Sequence, residues 1–274
     1  MYLIQGIILL LLSISLVQSH SIKALLNETS EETDNNIDQD YFSVSAIIER
    51  ANKNAGKSKG EFTIIHGDIA VYTGLQNADP CTSRGCKWRR GSDRKVKVPF
   101  TISREYSCSE KRNILRGLDS FQNSTCIQFI PHTNEEDYID IISDTGCYSY
   151  VGRRGGRQVV SLKRSGCIYY HIIQHELLHA LGFKHEQTRS DRDKHVKILY
   201  ENVIPDKKHN FDKVDTNNLN TPYDYNSVMH YTRYAFSRNT MPTIVPIPDN
   251  DVPIGRATEM SRNDILRVNR LYCS

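Results

Sequence analysis

The chain has 274 residues, 38% of them hydrophobic and 24% charged, a balance that excludes a wholly disordered or fibrous protein and predicts a packed core. Its formal net charge of +3 comes without any run of basic residues, which speaks against a nucleic-acid partner.

The first stretch, "MYLIQGIILLLLSISLVQS", is apolar and closes on small and polar residues, so residues 1–19 read as a signal peptide and the chain as secreted through the secretory pathway. No Lys or Arg precedes that run, and a retained membrane anchor is the alternative. No later segment is long and apolar enough to span a bilayer, so no stable membrane association is expected. Seven cysteines in an oxidising compartment predict disulfides, with one thiol left over. From Ser21 to about Gly60 the chain is polar, first acidic ("NETSEETDNNIDQD") and then "ANKNAGKSKG", and is expected to be a flexible pro-segment or linker.

A folded pattern begins beyond Cys81. "KVKVPFTI" alternates as a strand does over Val96 to Ile102. Ser107 and Glu110 have capping-box spacing, and Ile114, Leu115, Leu118 and Phe121 then recur on one helical face. Strand-like runs follow at "CIQFIP" from Cys126, "YIDIIS" from Tyr138 and "RQVVSL" from Arg157. "CIYYHIIQHELLHALGF" has no proline and ends on a glycine, which predicts a helix stopping near Leu181. A last helix is expected where Ser261 and Asp264 can cap "SRNDILRVNRLY", with Ile265, Leu266, Val268 and Leu271 turned inward. There is no internal repeat.

The chemistry lies in "HELLHALGFKHE", His175 to Glu186. Residues four apart on a helix lie one turn above each other, so His175 and His179 present their imidazoles to one point. A third ligand on the same helix would move away along the axis, and Gly182 lets the chain turn so that His185 returns from another direction. Three neutral nitrogen ligands with an open position suit a catalytic Zn²⁺, one per chain, whereas structural zinc is normally closed by four protein ligands. Such a zinc makes its water nucleophilic near neutral pH. Glu176 beside His175 can then accept the water's proton and pass it to the leaving amine of a cleaved peptide. The full H-E-x-x-H-x-x-G-x-x-H spacing, with a later methionine turn, is the metzincin signature.

With "HELLHALGFKHEQTRSDRD" and "SVMHY", the chain from about Gly67 to Cys273 resembles the astacin family of zinc endopeptidases. The resemblance implies an α+β, two-lobed catalytic domain: a twisted mixed sheet with two long helices in the upper lobe, and an irregular lower lobe carrying a C-terminal helix. It further implies that His175, His179 and His185 bind zinc, that Glu176 is the general acid and base, and that Met229 forms the turn beneath the metal. Tyr231 would ligate zinc at rest and swing away to stabilise the oxyanion, although a Met and Tyr pair by itself reads as plain core. Glu186 would contact the new amino terminus made by processing. "HGDIAV" resembles the family's F-x-G-D aspartate switch, with Ile65 where an aromatic is usual; Asp68 would block the zinc and keep a zymogen latent. Taken alone, Gly-Asp also reads as a turn.

The cysteine contexts resemble the family's core pattern and imply Cys126–Cys273 and Cys147–Cys167. Cys81 and Cys86 look like the added bridge of the hatching-enzyme branch. Cys108 has no counterpart, which leaves it to be buried, capped or used between chains. The mature enzyme would begin near Asn77, dividing the chain into a signal peptide (1–19), a pro-segment (20–76) and a catalytic domain (77–274). Asn27 and Asn123 head N-glycosylation sequons.

The resulting expectation is a secreted, monomeric zinc endopeptidase that needs an activating protease and cleaves egg-envelope glycoproteins. Within the enzyme class, a nephrosin-like or general extracellular tissue protease is the alternative. Outside it stand an inactive zinc-containing envelope- or matrix-binding protein, which would need neither Glu176 nor Tyr231, and a structural zinc module with Tyr231 as fourth ligand.

Overall fold

The computed structural model describes residues 40–55, 62–72 and 85–274, so the leader at 1–19, Asn27, Asn77 and Cys81 lie outside the described residues. In chain order these contain helix α1 (Val44–Ala51), strands β1 (Phe62–Ile65), β2 (Ile69–Tyr72) and β3 (Val96–Ile102), and helix α2 (Cys108–Gln122). Strands β4 (Ile127–Pro131), β5 (Tyr138–Ile142), β6 (Cys147–Ser149) and β7 (Arg157–Leu162) follow, then helix α3 (Tyr170–Ala180). The short pair β8 (Val196–Ile198) and β9 (Ile244–Pro246) and helix α4 (Arg262–Tyr272) complete the set. Among the described residues, no helix is long and apolar enough to cross a membrane.

Seven strands form one mixed sheet in the order β1-β2-β6-β7-β5-β3-β4. β4, β3, β5 and β7 run parallel to one another, while β6 is antiparallel to β7. Alternation sends Ile139 and Ile141 of β5 and Val160 and Leu162 of β7 into one core with Ile114, Leu118 and Phe121 of α2 and Ile172, Ile173 and Leu177 of α3. Each such fully buried aliphatic side chain contributes about 1.5–3 kcal/mol. The two helices can approach because position 117 is glycine: a Cβ there would lie 2.4 Å from Ile173 Cγ2. A second apolar cluster, including Val203, Phe211, Tyr223, Tyr231 and Phe236, is built from the irregular chain after α3. This is an α+β fold, with the histidine helix packed against the sheet and a separate apolar cluster in the irregular region.

Both capping boxes form, Ser107 with Glu110 and Ser261 with Asp264. Three expectations need correction. Leu115 does not face the core but is 40% exposed, because it sits 100° round the helix from Ile114 and outside the arc holding Leu118 and Phe121. Leu266 does not pack against the core cluster that holds Val268 and that Ile265 and Leu271 pack against. The stretch read as flexible through Gly60 contains α1, capped by the Ser43 side chain and burying Val44, Ile47 and Ile48. Its apolar residues recur at helical spacing, but the polar average of the surrounding segment hides so short a run. β1 and β2 form an antiparallel hairpin, and β2 joins the sheet through Ile69 opposite Ser149 of β6.

Candidate metal centre

The end of α3 is held by three other elements. Gly152 N–H donates to His179 O (2.8 Å), the Trp88 indole to Ala180 O (3.0 Å) and the Tyr272 hydroxyl to Leu181 O (2.7 Å). These bonds satisfy carbonyls that a helix end leaves without intrahelical partners. Gly182 follows at φ +104°, a conformation that suits glycine, and the chain doubles back to bring the His185 ring within 5.2 Å of His175 and 4.8 Å of His179.

Two rings are oriented by main-chain carbonyls: His175 Nδ1 lies 2.9 Å from Val228 O and His179 Nδ1 2.7 Å from Phe183 O. A carbonyl only accepts, so both Nδ1 atoms carry the proton and both Nε2 atoms present lone pairs inward. Burial holds the His185 imidazole down at about 3, so this ring is neutral at physiological pH. Into this centre the turn between β1 and β2 inserts Asp68, with Oδ2 2.9 Å from His175 Nε2 and Oδ1 3.1 Å from His185 Nε2 and 3.3 Å from His179 Nε2. Ligand atoms of all four residues fall within 4.8 Å of one another, and every one of these residues is buried. Acceptor lone pairs converging from imidazoles and a carboxylate repel one another unless a cation sits between them. This set of three nitrogens and one oxygen is the donor chemistry of four-coordinate zinc.

Glu176 is buried beside His175, and neither of its carboxylate oxygens has a hydrogen-bond partner among the described residues. Burial first, and then the negative charge of Asp68, push its carboxyl well above the usual carboxylate range. A carboxyl poised high is fitted to accept and return a proton near neutrality. The Tyr231 ring packs 4.7 Å from that of His185, and its hydroxyl donates to His66 O at 2.5 Å. Gly67 passes so close that a Cβ would lie 2.7 Å from that hydroxyl.

Met229 is buried under the centre, its carbonyl accepting from Glu186 N–H (3.0 Å) and its N–H donating to Ser227 Oγ (3.0 Å). Asp264 holds this turn as well as capping α4. It accepts from the Ser227 hydroxyl (2.6 Å), Val228 N–H (3.0 Å) and Ser261 N–H (3.0 Å). Capping-box spacing revealed only the last of these, since nothing in the local sequence links residue 264 to 227. Glu186 is similarly better connected than the motif suggests: Arg267 donates to it twice (2.6 and 2.8 Å), Arg189 once (3.1 Å) and Asp224 N–H once (2.8 Å). A cavity of about 250 Å³ opens beside it, lined in part by Phe183, Lys184 and Leu271.

The N-terminal elements cover the centre with a polar stripe on α1. Thr232 N–H donates to Ser45 Oγ (3.0 Å) and Phe236 N–H to Glu49 (3.0 Å). The Asn52 carboxamide donates to Gly67 O (2.8 Å) and Cys147 O (2.7 Å) and accepts from Cys147 N–H (2.8 Å). With Ser149 N–H donating to Asp68 O (3.1 Å), groups of both Cys147 and Ser149 on the β2 side of β6 are occupied.

Cys126 is bonded to Cys273 and Cys147 to Cys167, while Cys108 is a free, exposed thiol. Cys86 is disulfide-bonded, and Cys81, expected as its partner, lies outside the described residues. Asn123 is exposed at the end of α2.

Residues 86–273 match the family model for the astacin peptidases. The chain belongs to the astacin family. Among its relatives, this astacin is 49% identical over 234 residues to high choriolytic enzyme 1 of Oryzias latipes, covering 85% of this chain and 84% of that one. It is 46% identical to the low choriolytic enzyme of the same fish over 269 residues, 97% of this chain and 96% of that one. The solved structure of high choriolytic enzyme 1, a hatching enzyme zinc-protease of medaka, superposes with a TM-score of 0.68 at 54% identity, covering 69% of this chain and 96% of that chain. Like other astacins it is a zinc metalloendopeptidase acting on protein substrates, and its donor set fits that metal.

Proposed function

We propose that this astacin is made as a secreted zymogen, with residues 1–19 as signal peptide, 20–76 as pro-segment and 77–274 as catalytic domain, and that after processing by another protease it cleaves egg-envelope glycoproteins. The observation that carries the zymogen reading is Asp68, delivered by a hairpin from the N-terminal segment into a ring of three histidines. The choriolytic relatives support the envelope as substrate.

In this reading His175, His179 and His185 hold the metal and Asp68 takes the position that water needs. Bound there, zinc supplies the Lewis acidity that activates water and polarises the scissile carbonyl. Glu176, buried beside His175, takes the attacking water's proton and returns it to the leaving amine. Tyr231, released from His66 O when the segment leaves, donates its hydroxyl to the developing oxyanion. The edge of β6, freed of Asn52 and Asp68, pairs with an extended substrate main chain. The new terminus near Asn77 reaches Glu186 through the adjoining cavity, joining Arg267 and Arg189 in neutralising that carboxylate.

The substrate is tested by incubating processed protein with isolated fish egg envelopes and with a denatured general protein. Release of envelope peptides at a rate at least comparable with cleavage of the general substrate is the expected result. Cleavage of the general substrate beside intact envelopes would move the assignment to a tissue protease.

A further inference from the structure

The face of β6 turned away from the helices carries a closed aromatic cluster. Tyr148 and Tyr150 are 2% and 6% exposed there, and they pack with Ala70 and with Phe62, Ile64 and Val159. The cover comes from the N-terminal hairpin: Phe62 of β1 meets Tyr148 at 5.0 Å between ring centroids, and Tyr72 of β2 stacks on Tyr150 at 4.9 Å with rings 25° apart. At the rim, the Arg154 guanidinium lies 5.7 Å from the Tyr72 ring centre. Departure of the hairpin removes this cover and leaves two tyrosines side by side along the strand that flanks the metal centre.

We infer that Tyr148 and Tyr150 form a substrate subsite that selects a large apolar or aromatic side chain on the part of the substrate paired with β6. The inference rests on the reading of β6 as the substrate edge. An extended chain on that edge sends alternate side chains to opposite faces, as β2 does with Ala70 on the tyrosines and Ile69, paired with Ser149, on the other face. β2 needs only the methyl of Ala70 at this point because the neighbouring strand β1 fills the remaining space with Phe62. A substrate contributes one strand and no second one. The room occupied by the Phe62 ring is therefore open to a single long side chain from the substrate strand, with Val159 as floor and the tyrosine rings offering offset or edge contacts. Tyr148 is already fixed for this role, since its hydroxyl donates to Asp144 at 2.6 Å.

The test uses processed protein and a set of peptides that share one cleavable sequence and differ at the residue projecting onto this face, as Phe, Leu, Ala or Asp. The wild type should cleave the Phe and Leu peptides with kcat/KM about tenfold or more above Ala, through KM, and Asp worst of all. In Tyr150→Ala the Phe-to-Ala ratio should fall toward unity, and Tyr150→Phe should restore it because the ring and not the hydroxyl is used. A variant that lost activity equally on all peptides would show a structural role and overturn the subsite. So would a wild-type profile with no preference at any position, which needs no variant to fold and leaves the endopeptidase reading standing. Absence of cleavage by the wild type on every peptide and on denatured protein would overturn both.

Discussion

Full-length Asp68→Ala is expected to cleave a peptide substrate without processing, where the wild-type full-length chain does not. Asp68 faces three imidazole nitrogens at 2.9–3.3 Å, and its removal vacates the one position in the centre open to water. With the metal between them these are ligand positions and not hydrogen bonds, and loss of the carboxylate ligand is expected to raise unprocessed activity about tenfold or more, a shift of about 1.4 kcal/mol or more. The segment would still be held by α1 and by Asn52 on β6. Adding Asn52→Ala removes three further hydrogen bonds, about 2 kcal/mol net, and should raise activity roughly thirtyfold again. A double variant as latent as the wild type would show that neither residue keeps the centre closed.

His185→Ala in the processed protein should lose most of its zinc and with it all measurable peptidase activity. His185 supplies one of three histidine nitrogens from a loop, and no other His, Cys, Asp or Glu among the described residues joins the cluster apart from Asp68, which the proposed processing would remove. Loss of a ligand must cost more than the roughly 10–100-fold in metal affinity that follows loss of a supporting partner. Metal content after dialysis against buffered zinc, with circular dichroism to confirm folding, reads this directly. Zinc at one equivalent in the variant would contradict the three-histidine site.

Those histidines were legible because their geometry is local: a four-residue step on one helix and a glycine that turns the chain. The long helices, the capping boxes at Ser107 and Ser261 and the longer strands were legible for the same reason, since period and cap lie within a few residues of each other. What escaped was either short or distant. β6 has three residues, too few to show alternation, and yet it carries the edge on which Asn52 and Asp68 dock. Asp264 and Arg267 act on residues 36 to 81 positions away in the sequence, which only the folded chain brings within reach. Reading Asp68 as a switch needed the family resemblance, because Gly67–Asp68 alone is indistinguishable from an ordinary turn; in the fold it is a turn, and Asp68 at its tip lies among the three histidines.

We propose that the buried Glu176 carboxyl beside His175, His179 and His185 drives peptide-bond hydrolysis. The most direct test is cleavage of a denatured protein by processed enzyme beside processed Glu176→Ala, with zinc quantified in both. Equal zinc with a loss of about 10²–10⁴-fold or more in the variant is predicted, the range expected when a general acid and base is removed. Equal zinc with equal cleavage would take Glu176 out of the chemistry, and zinc without cleavage by either protein would contradict a catalytic role for this centre.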